Sequence, residues 1–435
     1  MSLSVLPGLQ PDTPRNETRT RLAQAAALVV TFLIGMRIDV DYGLTIGGVA
    51  AVALAPVWFG TLLRSAWSRA LVALALTAAL AGVLLTTLNA ADHSAVTANL
   101  IERSIEVVQL GVLVAFLVWA YRVTSVARVC VAFASGLAAA IPLHFSADPN
   151  VWRFTLSIPL GVLVLAICSL TDRLIVTLTA VVALAAVGLV NDSRSNSAFL
   201  LLTGVVILWQ RLSVAGSRRA RGWGGILSLL AAGLALALLL QGAILEGYFG
   251  EVTRTRTAEQ IERGGSVIVG GRPEIAASLA LISRYPWGLG SGLRANYDDV
   301  LAAKTAMSEI GYDPDNGYVE RFMFGAGIEL HSVIGDLWIW FGLVGVALVA
   351  LVLVLLILAT KRGYAAGALT PLLVYLILRA LWDLPFSPFD SAMRLWPLTL
   401  ALSIAYATCR FSRPRADLHV LIPVLAAQPY RESHR

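Results

Sequence analysis

Charge is what this chain has least of. Only 14% of its 435 residues are Asp, Glu, Lys or Arg, where a soluble domain carries about a quarter. A water-soluble enzyme is therefore excluded, as are disordered and collagenous chains. Lysine is scarcest of all: there are two, Lys304 and Lys361, against 31 arginines. No Lys/Arg-rich run lies in a soluble segment, so no nucleic-acid partner is expected. Cysteine is almost absent too. Cys130, Cys168 and Cys409 each sit in an apolar stretch without metal-ligand spacing, which predicts buried thiols. No small-residue cleavage site follows the first apolar run, which ends Gly35-Met36-Arg37-Ile38-Asp39. Preceded by Arg15, Arg19 and Arg21, it reads as a first span and not as a removed leader.

What is present is apolar. Hydrophobic residues make up 57% of the chain and mean hydropathy is +0.76, enough for about twelve spans of about 20 residues each. Apolar runs fall near 22–38, 43–63, 70–89, 105–121, 124–144, 154–171, 173–190, 194–211, 223–245, 332–358, 367–384 and 393–409. Asp172-Arg173, between two of them, predicts a tight turn in water. The expected class is an all-α integral membrane protein of about twelve transmembrane helices. Basic residues alternate between loops: Arg15/Arg19/Arg21, Arg64/Arg69, Arg122/Arg128, Arg173, Arg211/Arg218/Arg219/Arg221, Lys361/Arg362 and Arg410/Arg413/Arg415 on one side. The other side holds one each, Arg37, Arg103, Arg153, Arg194 and Arg394. The positive-inside rule then places both termini in the cytoplasm of a multi-pass cytoplasmic-membrane protein. The expected organisation is a cytoplasmic tail over 1–21, spans 1–9 over 22–245, an extracytoplasmic loop over 246–331, spans 10–12 over 332–409 and a cytoplasmic tail over 410–435.

The long loop carries twelve acidic and eight basic residues, and loops of this length usually carry function. Within it Arg272-Pro273 opens a helix with Ile275, Leu279 and Ile282 on one stripe, which predicts a short interfacial helix. Tyr285-Pro286-Trp287 and a flexible turn at Gly288, Gly290 and Gly292 follow it. His331, at the mouth of span 10, is a candidate general base or a polar helix end. Arg194 and Arg272, each beside a helix start, suit phosphate oxygens, or pair with Asp192 and Glu274. Asp383 and Asp390 face the same side, to hold donor sugar hydroxyls or to hydrate a turn, with Arg284 a further donor-binding candidate. Asp39 and Asp41 offer a carboxylate pair for Mg²⁺ or Mn²⁺, in a loop short enough to make a plain acidic turn the stronger reading.

The order of these elements resembles the O-antigen ligase and O-antigen polymerase family of bacterial envelope glycosyltransferases. The resemblance rests on Ser193-Arg194-Ser195 opening a span. It continues with Gly271-Arg272 followed by Ala277, Leu279-Ala280-Leu281-Ile282, Pro286 and Gly288-Leu289-Gly290. It ends with His331 leading into Phe341-Gly342-Leu343-Val344-Gly345. Ser332 stands where the family usually has Asn, and no Trp follows shortly after Arg272. The resemblance implies a polyprenyl-pyrophosphate-linked glycan donor, a glycan or lipid acceptor and surrounding membrane lipid as partners, with no cofactor. His331 would take the acceptor proton, Arg272 and Arg194 would hold the pyrophosphate in place of a metal, and the anomeric carbon would invert. Ligase and polymerase stay open. A transporter or flippase of lipid-linked sugars is the other class, with Arg379 as the nearest intramembrane charge.

Overall fold

The computed structural model describes residues 14–143, 145, 150–171, 173–215, 242, 245–247, 251–264 and 272–409. Most of the expected ninth span, both termini, Arg218, Arg219, Arg221, Asp172, His144 and Gly271 lie outside these residues. Among the described residues the chain is all-α apart from one small hairpin, β1 (Asp39–Asp41) against β2 (Leu44–Thr45). The helices are α1 (Pro14–Met36), α2 (Ile46–Ala53), α3 (Ala55–Arg64), α4 (Ala66–Leu88), α5 (Thr97–Val123) and α6 (Val126–Ala139). There follow α7 (Ser157–Thr171), α8 (Leu174–Val190), α9 (Arg194–Ala215), α10 (Glu251–Gly264), α11 (Glu274–Arg284) and α12 (Tyr297–Glu309). The last four are α13 (Val333–Ala366), α14 (Pro371–Phe386), α15 (Phe389–Met393) and α16 (Trp396–Thr408).

Length and apolarity make this a membrane-embedded protein, with fewer full-length spans than twelve among the described residues. Four of the described helical stretches are long and apolar enough to cross: Ala66–Leu88, Thr97–Val123, Trp152–Thr171 and Val333–Ala366. A fifth is broken, since α2 and α3 meet at 81°. Three of the other apolar runs fold as shorter helices, Thr20–Met36, Val126–Ala139 and Leu174–Val190. The difference is physical. An apolar run records a low-dielectric environment, which buried short helices share with full spans.

α5 is the central helix, with Val107, Leu110, Val114, Phe116 and Leu117 fully enclosed. In a bilayer such helices associate by close packing and not by exclusion of water. α1 and α6 show how close: a Cβ on Gly35 would stand 2.1 Å from the Phe133 carbonyl, and one on Gly136 2.0 Å from that of Phe32. Cys130 and Cys168 are buried free thiols, as expected, while Cys409 is half-buried. Arg103, expected in a loop, lies inside α5 and is buried.

α13 is the helix that positions the loop segment. It starts cleanly, with Ser332 Oγ accepting the Gly335 N–H at 3.2 Å. It then breaks at Gly342, whose φ of 59° and ψ of −141° no helix contains. The break frees the Ile339 carbonyl, which accepts the N–H groups of Leu289 (2.7 Å) and Gly290 (3.0 Å) from the loop. Gly342 is required twice over, by its positive φ and by the Trp287 carbonyl, 2.2 Å from where a Cβ would stand. Three residues on, a Cβ on Gly345 would lie 1.9 Å from the Leu337 carbonyl. The Gly288–Gly292 turn, expected to be flexible, is thus wedged into a helix break, and Gly292 N–H donates to Thr86 at 3.0 Å.

Candidate active site

His331 and Arg272 both lie in the chain before α13, Arg272 just before α11 and His331 just before the α13 cap. His331 precedes the Ser332 cap and has a positive φ of 53°, an uncommon conformation for a side chain without special tolerance of it. Asp336, one turn into α13 and fully buried, sets this geometry. One of its oxygens accepts the Leu330 N–H at 2.6 Å and the other the Phe389 N–H at 2.9 Å. A single carboxylate thereby fixes the residue before His331 and the residue before Asp390.

The imidazole of His331 is half-buried, with Nδ1 3.3 Å from the Glu329 carbonyl. Its ring centroid lies 5.9 Å from that of Tyr318. The Tyr318 hydroxyl donates to Glu274 Oε1 at 2.6 Å. Burial, and then the Glu274 carboxylate, push the Tyr318 pKa well up, so this phenol stays a donor. Glu274 itself is buried, and among the described residues its second oxygen, Oε2, has no hydrogen-bond partner. Arg272, two residues before, stacks its guanidinium 5.9 Å from the Trp382 ring on α14. Among the described residues no carboxylate lies within 4 Å of it, so the expected alternative pairing with Glu274 does not form. Trp382 in turn packs on Phe386 (4.4 Å) and Phe199 (5.5 Å). His331, Tyr318, Glu274, Arg272 and Trp382 therefore make one continuous group.

The other expected site residues are placed differently. Arg194 opens α9 and pairs with Asp192 at 3.2 Å, the second of its two expected roles, while its Nη1 donates to Thr257 Oγ1 at 2.5 Å. Asp192 also holds Arg153 at 3.0 Å. α9 nonetheless reaches the site, since its Phe199 packs edge-on against Trp382 at 5.5 Å. Arg284 is bound to Asp298 and Asp299 and lies with His93, outside the His331 group. Asp383 is buried, accepts from Ser387 at 2.7 Å and pairs with Arg379 at 3.4 Å. Asp390 is half exposed and pairs with Arg37. Asp39 and Asp41 sit exposed in the β-hairpin. Among the described residues no three His, Cys, Asp or Glu side chains converge as ligands for an ion.

In α11 the face turned to the protein is Glu274, Ala277, Ser278 and Leu281. The Ile275/Leu279/Ile282 stripe looks elsewhere, with Leu279 60% exposed.

Three groups escaped the sequence reading. Tyr318 and Glu274 meet only in space. Asp336 carried a signal, an acid one turn inside an apolar run. The third is a closed polar cluster around His93. Its Nε2 lies 2.9 Å from Asp299 Oδ2, 3.3 Å from the Tyr285 hydroxyl and 3.2 Å from Asn296 Nδ2. Tyr285 donates to Asp299 Oδ1 at 2.7 Å, and burial, then that carboxylate, raise its pKa to about 12. Asn296 and Asp299 form the capping box of α12, so this cluster fastens α12 to the α4–α5 turn.

No family model, curated protein or solved structure matches the chain.

Proposed function

We propose that this protein is a polytopic membrane glycosyltransferase of the O-antigen ligase-like kind. It moves a glycan from a polyprenyl-pyrophosphate carrier to an acceptor hydroxyl at the outer face of the cytoplasmic membrane. Both termini are cytoplasmic in this reading, and the shorter and bent apolar helices complete a bundle of about twelve passes. The observation that carries it is the His331–Tyr318–Glu274–Arg272 group. It unites a candidate base with a carboxylate oxygen and an arginine that, among the described residues, have no hydrogen-bond partner and no carboxylate respectively.

In the reaction the acceptor oxygen attacks the anomeric carbon while His331 takes its proton. The bond from that carbon to the pyrophosphate oxygen breaks, and the electron pair leaves with the pyrophosphate. Arg272, joined by Arg194 held in place by Asp192, stabilises that leaving anion. Attack opposite the leaving group inverts the anomeric carbon. Glu274 Oε2 is placed to accept from a sugar hydroxyl, oriented by Tyr318. A base of this type contributes about 10²–10⁴-fold.

The test uses purified protein in vesicles with a lipid-linked glycan donor and a soluble glycan acceptor. His331→Ala and Arg272→Ala should abolish release of free polyprenyl pyrophosphate, and Arg272→Lys should lose most of it, because the planar fork is gone. Wild-type activity should survive a chelator. Normal turnover of His331→Ala, or loss of wild-type turnover in chelator, would overturn the mechanism.

One observation favours the transport reading instead. Arg103 and Glu106 form a buried ion pair inside α5 at 3.1 Å, with Arg103 also bound to Glu329, and intramembrane charges often mark a substrate path. Movement of labelled donor across the vesicle without release of carrier pyrophosphate would decide for it.

A further inference from the structure

One stripe of α5 reaches the chain that precedes His331. Asn99, Arg103 and Glu106 follow one another at helical spacing. Asn99 Nδ2 donates to the Ala326 carbonyl at 2.8 Å. Arg103 is buried and its fork is divided: Nη1 donates to Glu106 Oε2 at 3.1 Å, and Nη2 to Glu329 Oε1. The guanidinium also lies over the Trp340 ring, 4.5 Å from its centroid, and that indole donates to the Ile328 carbonyl at 2.8 Å. Ala326, Ile328 and Glu329 are thus each tied to α5, directly or through Trp340.

Glu329 is held at three points. Its N–H donates to the Met323 carbonyl at 2.8 Å, its carboxylate accepts from Arg103, and its own carbonyl faces His331 Nδ1 at 3.3 Å. That carbonyl shares a planar peptide with the Leu330 N–H, and the two point opposite ways. Asp336 takes the N–H at 2.6 Å, so the carbonyl is turned to the imidazole. A carbonyl oxygen only accepts. Nδ1 therefore carries the ring proton, and Nε2 keeps a bare lone pair. A buried ion pair stabilises little more than apolar packing would, so what Arg103 contributes is geometry more than stability.

We propose that Arg103 and Glu329 are positioning residues for His331: they hold the carbonyl that locks its ring in the Nδ1–H tautomer and leaves Nε2 as the nitrogen that takes the acceptor proton. Naming Nε2 the base rests on the transferase reading; the locked tautomer does not. The buried charges of α5 then serve to orient the ring, in place of marking a path for substrate.

The test reads the ring directly. Full-length protein with isotope-labelled histidine is placed in nanodiscs without donor or acceptor, and ring-nitrogen NMR is recorded at mildly alkaline pH. The His331 signals are those lost in His331→Ala. Wild type should show a single tautomer with the proton on Nδ1. In Glu329→Ala, which leaves Arg103 paired with Glu106, both tautomers should appear, since a free imidazole favours the proton on Nε2. There kcat for transfer should fall at least about tenfold, the scale of losing a group that orients a histidine, with KM unchanged. Arg103→Lys keeps a charge for Glu106 but not the fork that bridges both carboxylates, and should behave as Glu329→Ala does. Glu329→Gln keeps an oxygen to accept from Nη2 and should restore the single tautomer and most of the rate. Glu320→Gln, a carboxylate of the same loop paired with Lys304, should change nothing. A wild-type proton on Nε2, or a tautomer that ignores Glu329→Ala, would overturn the proposal. So would an inactive Glu329→Gln with the wild-type tautomer, which would make the carboxylate itself a reactant. A tautomer that responds as described in a protein that never transfers glycan would keep this lock and refute the transferase reading.

Discussion

Asp336 offers the most direct measurement of how the site is held. Its two carboxylate oxygens each accept one backbone N–H, from Leu330 at 2.6 Å and from Phe389 at 2.9 Å, and the side chain is fully buried. Asp336→Asn preserves volume but keeps one accepting oxygen; its amide nitrogen faces the other N–H donor to donor. A buried N–H left without an acceptor costs about 1–3 kcal/mol. Asp336→Ala orphans both, so the expected loss is about 2–6 kcal/mol. Equilibrium unfolding in mixed micelles should therefore rank wild type above Asn and Asn above Ala. The chemistry should suffer beyond stability, because the Leu330 N–H sits directly before His331 and fixes its positive φ. A displacement of about 1 Å costs on the order of 10²-fold in rate, so Asp336→Asn should lose transfer even at temperatures where it stays folded. An Asp336→Ala protein within about 0.5 kcal/mol of wild type, the range of an ordinary surface change, would refute the reasoning.

Gly342→Ala should cost at least about 1–2 kcal/mol from its φ alone, and more from the Trp287 carbonyl; limited proteolysis should then open the chain near Trp287. His331→Gly and His331→Ala should both be inactive, yet Gly should be the more stable by about 1 kcal/mol, since only Gly takes φ 53° without strain; equal unfolding midpoints would show that the positive φ carries no strain. Tyr285 holds its proton more tightly folded than unfolded, so its contribution is intact below about pH 10 and fades as the pH rises toward about 12. Ultraviolet titration of the phenols, compared with Tyr285→Phe, reads that window, and a Tyr285 that ionises near pH 10 contradicts it.

How much of this was legible beforehand depended on how local each feature is. Residue chemistry and apolar runs gave the membrane class, the helix opened by Arg272-Pro273 and the start of α13 at Ser332, because each is decided within a turn or two of chain. Span count was not legible, since Leu-rich and Ala-rich helices look alike whether they cross the bilayer or end inside the bundle. The Gly288–Gly290 turn was read as flexible because its partner, the freed Ile339 carbonyl, exists only where α13 breaks. Arg272 and His331 emerged as candidates from the residues beside them. Tyr318 and Glu274 are separated from one another by 44 residues, and no spacing rule reaches that far.

The wedge at Gly342 also has a consequence for how the protein is made. During synthesis from the N-terminus, residues 288–292 leave the ribosome about fifty positions before Ile339, the residue that will anchor them. In the proposed orientation the loop must therefore cross the membrane while its dock is still unmade. Thr86 of α4 is already in place to hold Gly292, but the Leu289 and Gly290 amides must wait for α13 to insert. A chain stalled near residue 330 should display this loop open to an externally added protease. One extended beyond Gly345 should hide it, so that insertion of a single helix locks the site shut behind it.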